Sequence, residues 1–185
     1  MWFSGAGMDE IDPQFDTCTR VLGIDPGLNC TGYGVLESQG ACQRPGVVEA
    51  GVIRGGSSSK PLAERVAVIH RGIKDVIKSF APQAMALEEL YSHYDRPRTS
   101  ILMGHARGVT CLAAAEAGIP VVSYAATRVK KLLTGSGRAS KSQMQLAVQR
   151  ELSLAELPEP ADVADALAIA LGHFYLRNRR SDVEC

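Results

Sequence analysis

Between residues 20 and 60 the apolar positions come in short runs broken by glycine. RVLGI (20–24), residues 31–37 and GVVEAGVIR (46–54) read as three strands, and their glycine-rich turns suggest an antiparallel meander. The period then changes. Leu62, Val66, Ile69, Ile73 and Ile77 recur at helical spacing, which predicts an amphipathic helix over 61–79, closed by Pro82. AMALEELY (84–91) reads as a fourth strand and PVVSY (120–124) as a fifth. Between them, 98–117 reads as a helix whose small residues, Gly104, Ala106, Gly108 and Ala113 to Ala115, allow another element to come close. A short helix follows through Val129, Leu132 and Leu133. Ser140 is placed as the N-cap of the next helix, to about 152, and a final helix is expected over 161–177. The order βββαβαβααα predicts a mixed α/β domain over 20–177, with three antiparallel strands followed by parallel ones. Residues 1–19 are expected to be a flexible extension and 178–185 a flexible tail.

Composition changes this picture little. A chain of 185 residues suffices for one domain with a sizeable core. No apolar run is long enough to span a bilayer, and the first residues lack the basic and apolar regions of a secretory signal. Five cysteines with no C-x-x-C spacing argue against a disulfide framework and a structural zinc site, and fit a reducing cytoplasm. Charge is more informative. The chain is formally neutral, with 20 basic and 20 acidic residues. From Arg96 to Arg150, however, nine bases stand against Glu116 alone, so this stretch carries +8 and the remainder −8. Such asymmetry fits either a surface for a polyanion or solvated helix faces.

Against this background several acids stand out. Asp25 ends an apolar strand and is followed by Pro26 and Gly27; an Asp there serves a turn or holds a ligand. Glu88 and Glu89 lie in an apolar strand, where one of the two must face each side of the sheet. Burying either is costly unless it is paired or metal-bound. In PEPADVADALAIALGHF, Asp162 could cap the last helix, but Asp165 lies on the same face, which continues to Ile169 and the core. Carboxylate oxygens in such settings suit magnesium or manganese. Two such ions about 4 Å apart can activate water and stabilise the leaving oxygen of a phosphodiester. The four histidines are scattered; His173 lies two turns or more from the acids and is read as structural.

Taken in order, GIDPGLNCTGYGV, MALEELY, GHARGV, SYAATRVKKLLTGSGRASKSQMQ and ADVADALAIA resemble the RuvC family, the bacterial Holliday junction resolvases of the ribonuclease H-like superfamily. The resemblance covers about residues 20 to 177. It implies a ribonuclease H-like fold and a homodimeric endonuclease that resolves four-way DNA junctions by paired symmetric nicks, in recombination and repair. It implies a catalytic tetrad of Asp25, Glu88, Asp162 and Asp165 holding two magnesium or manganese ions, and so separates Glu88 from Glu89. Tyr91 matches an aromatic position that stacks on an unpaired base. Lys130 and Lys141 match basic positions at the DNA, with Lys141 also in a catalytic role, and Arg107 matches a further position counted with the DNA contacts. The helix 98–117 corresponds to the dimer interface, and RuvA and RuvB are implied as partners in the cytoplasm. Two other classes compete. Thr31-Gly-Tyr-Gly also resembles the phosphate hairpin of actin-like ATPases, although the chain has no room for their second lobe. A junction-binding protein without catalysis would keep the basic patch and lose the acids, yet all four acids are present.

Overall fold

The computed structural model describes residues 19–38, 44–89 and 97–181, the side chains of 97, 98 and 178–181 excepted. Its elements follow the expected order: β1 (Thr19–Asp25), β2 (Cys30–Ser38), β3 (Gly46–Arg54), α1 (Leu62–Phe80), β4 (Ala84–Glu88), α2 (Pro97–Glu116), β5 (Val121–Tyr124), α3 (Ala126–Thr134), α4 (Lys141–Glu151) and α5 (Ala161–Ser181). They form one five-stranded sheet in the order β3-β2-β1-β4-β5. β1, β2 and β3 pair antiparallel, whereas β4 runs parallel to both β1 and β5. The mixed α/β expectation therefore holds in element order along the chain and in strand direction.

Alternation along β1 builds a core on each side of the sheet. Leu22 and Ile24 join Met85, Leu87 and the apolar faces of α1 and α2. Val21 joins Ala86 and the apolar residues of α5, α3 and α4 on the opposite face. Asp25 follows Ile24 and so turns to the α5 side, as does Glu88 after Leu87. β4 ends at Glu88 rather than continuing to 91; residues 90–96 lie outside the described residues. Thr19 already belongs to β1, and α5 runs on to Ser181, past the expected end at 177.

Glycines set how closely α5 lies on the sheet. A Cβ on Gly23 would meet the Ala166 carbonyl oxygen at 2.2 Å, and one on Gly32 would meet that of Asp162 at 2.0 Å. Gly32 is the register partner of Asp25, so the first turn of α5 sits directly over the end of β1. Gly32 and Gly34, two apart on β2, both face α5. In this fold the Thr31-Gly-Tyr-Gly hairpin seats a helix.

Candidate active site

Thr31 holds the turn that releases the chain after Asp25. It is fully buried; its hydroxyl donates to the Gly27 carbonyl at 2.7 Å and accepts from the Gly27 N–H at 3.3 Å. Asp25 and Glu88 thus stand at the carboxyl ends of neighbouring parallel strands, one step beyond the Ile24–Leu87 pair. Glu88 is half-buried and Glu89 exposed. Asp162 and Asp165 come from the first turns of α5. Because α5 begins at Ala161, Asp162 lies inside the helix and is not its cap; there its charge is favoured by the helix dipole.

The carboxyls sense one another. Asp25 is pushed up to about 7, first by burial and then by the charges of Asp165, Glu88 and Asp162, with Lys141 opposing. Glu88 is raised by burial and by Asp165, against the pull of Lys130. Burial also raises Asp165, while Lys141 and Lys130 draw it down and Asp162 raises it. Among the described residues no three of the acids, histidines or cysteines already converge closely enough to hold an ion. The donor set nevertheless fits a divalent cation: hard oxygen ligands whose mutual repulsion and burial a +2 charge would relieve. The expected tetrad is brought to one end of the sheet from three elements.

Lys141 is the first residue of α4, after Ser140, whose side chain completes a capping box with Gln143. A lysine there is opposed by the helix dipole, so local helix stability does not account for it. Lys130 comes from α3. Together they put two cations beside the acids. Arg107 turns inward: its Nη1 donates to the Glu88 carbonyl and its Nη2 to Ser123 Oγ at 2.6 Å. Tyr91 lies outside the described residues. His173 is buried, and its Nδ1 lies 3.0 Å from the Tyr124 hydroxyl, a structural place as expected.

Sequence reasoning missed Cys30. It opens β2, and its thiol bonds to the Asp162 carboxylate; burial first and that acid second raise it. Its register position opposite Arg54 could have been guessed from a hairpin, but its meeting with α5 could not. A cleft of about 310 Å³ runs beside β5 and the second half of α5, lined in part by Arg128, Tyr124 and His173, and none of the four acids lines it.

Comparison with known proteins bears on this geometry. The family model for "Crossover junction endodeoxyribonuclease RuvC" matches residues 21–173. A protein of that name from Rhodopirellula baltica is 58% identical over 178 residues, 95% of this chain and 97% of the relative. Another, from Desulforamulus reducens, is 44% identical over 83% of this chain and 91% of its own length. Among solved structures, T. thermophilus RuvC in complex with Holliday junction substrate superposes with a TM-score of 0.78 at 39% identity, covering 86% of this chain and 95% of that one.

Proposed function

The chain belongs to the RuvC family of crossover junction endodeoxyribonucleases, and from that premise we propose that it resolves four-way DNA junctions by hydrolysing two phosphodiesters with a carboxylate-held divalent metal centre. The observation that carries this reading is the gathering of Asp25, Glu88, Asp162 and Asp165, each with a distinct place in the fold, into one mutually repelling group. These four residues would hold magnesium or manganese, two ions per site. When bound, the ions would lower the pKa of the attacking water and neutralise the departing 3′-oxygen.

The chain's own residues do the rest. Rigid strand ends fix Asp25 and Glu88, and the close seating of α5 fixes Asp162 and Asp165 relative to them. Lys141 lies within electrostatic reach of Asp25 and Asp165, where it positions the scissile phosphate and stabilises its developing charge. Lys130, near Glu88 and Asp165, contacts the adjoining backbone. Tyr91 stacks on an unpaired base. The active form is a homodimer joined through α2, which exposes Ile101 and Leu112 around Gly104 and Gly108, both open to solvent at Cβ. A two-fold dimer offers one site to each of two strands. The enzyme acts in the cytoplasm with its DNA, in concert with RuvA and RuvB.

Nicking of a synthetic four-way junction with magnesium or manganese tests this reading, with linear duplex and Asp25→Asn as controls. Symmetric, metal-dependent nicks in the junction alone are expected. Binding without nicks under both metals and several arm sequences would leave a junction-binding protein instead. Lys141→Ala should slow single-turnover nicking at saturating enzyme by about 10- to 1000-fold; an unchanged rate would remove Lys141 from the chemistry.

A further inference from the structure

We propose that Arg107 is a positioning residue that takes the place of a backbone hydrogen bond missing at Pro26, and so fixes the peptide that carries Glu88. The argument starts from the sheet. At the end of β4 the Glu89 N–H donates to the Tyr124 carbonyl at 2.9 Å, so the hydrogen-bonding groups of residue 89 face β5. Those of successive residues alternate, so the groups of Glu88 face β1. Ile24 lies opposite Leu87. Continued regularly, this parallel ladder would bring the N–H of residue 26 to the Glu88 carbonyl. Residue 26 is a buried proline and has no N–H.

The sequence feature that turns the chain away after Asp25 therefore leaves an acceptor without its ladder donor, on the residue that must hold its place. A carbonyl orphaned in a partly buried setting is costly and free to reorient. Arg107 reaches it from α2. One arm of the guanidinium donates to the Glu88 carbonyl and the other to the Ser123 hydroxyl, beside the Leu87–Ser123 pair. A planar fork spans the ends of β4 and β5. Lysine cannot reproduce two such bonds in fixed directions. Two of its five N–H groups are thus engaged inside the fold, a role distinct from contact with a phosphate.

The proposal rests on Glu88 being a metal ligand, and its test keeps the two apart. Three quantities are measured on the full chain: manganese affinity of the protein alone, junction affinity in EDTA, and the single-turnover nicking rate. Arg107→Met should weaken manganese binding and slow nicking, each by about 10- to 100-fold, the range for residues that support a metal ligand. Junction affinity should stay unchanged. Arg107→Lys should fall between the two proteins and carries the same comparison if the Met variant does not fold. Pro26→Ala in the Arg107→Met background supplies the missing N–H and should recover part of both losses. Loss of junction affinity with manganese binding intact would make Arg107 a DNA contact and overturn the proposal. So would the absence of any recovery with Pro26→Ala. Wild-type protein that neither bound manganese nor nicked junctions would instead defeat the assignment of Glu88.

Discussion

Two titratable groups, half-buried Asp25 and buried His173, pull the stability of the metal-free protein in opposite directions. Asp25 has its pKa raised to about 7 by burial and by the neighbouring acids. The folded state thus takes up a proton that the unfolded chain, titrating near 3.8, does not. That stabilisation is complete below the unfolded value and is lost as pH rises through about 7. Above pH 7 the ionised carboxylate is a net burden, so Asp25→Asn should stabilise the metal-free protein by about 2–4 kcal/mol there while abolishing nicking. Urea unfolding in EDTA at pH 8 checks this, and a less stable variant would contradict it. His173 behaves the other way. Burial first, and Arg177 second, depress it from 6.5 to about 4. Its contribution is present above 6.5 and disappears as pH falls through about 4. His173→Gln should flatten that acid limb by on the order of 3 kcal/mol; an unchanged slope between pH 7 and 4 would show that His173 titrates normally. In the sequence Asp25 stood out as an acid out of place at a strand end, and His173, two turns or more from the acids, read as structural.

Elements were legible where one periodicity governed. The third strand matches residue for residue at Gly46–Arg54, and Ser140 caps α4 as its spacing to Gln143 allows. What local pattern could not supply was the end of β4, set by where β1 and β5 stop pairing, whereas α5 starts at Ala161 as expected. Contacts across the sheet were also hidden. Cys30 against Asp162 and Arg107 against Glu88 depend on strand order and on a missing N–H, neither of which has a periodic signal. The seating of α5 gives the sharpest test at this scale. Gly32→Ala would drive a Cβ into the Asp162 carbonyl oxygen, so the helix must shift at the residue that carries the acid. We expect about 1–3 kcal/mol of destabilisation and a nicking rate at least about 10-fold lower. Gly34→Ala meets the Leu167 side chain, Cδ2 first at 2.6 Å, and that end can rotate away. Its loss should be smaller in both melting temperature and rate. Equal losses would mean that the seating of α5 over β1 does not set the geometry of the acids.

At the scale of the molecule, neutrality conceals a division of labour. The acidic and basic halves of the sequence meet at the end of the sheet, where Lys130 and Lys141 stand among the carboxylates. One such site can cut one strand. Resolution needs two cuts, and in the proposed homodimer the apolar stripe on α2 would join the two sites that make them. Ile101, Gly104, Gly108 and Leu112 fall on one helix face; Ile101 is 63% and Leu112 51% exposed, while Ala106, Thr110 and Ala113 are buried on the other side. Apolar side chains of that size flanking open glycines let two helices approach closely. Ile101→Asp with Leu112→Asp would place like charges across a two-fold contact and expose nothing new to the core. The variant should sediment as a monomer with unchanged thermal stability. It should still nick a junction, but the two nicks should become independent, so that singly nicked junctions accumulate where the wild type yields paired cuts. A dimer that survived both substitutions would place the two-fold elsewhere. A monomer that still cut in pairs would remove the dimer from the mechanism of resolution.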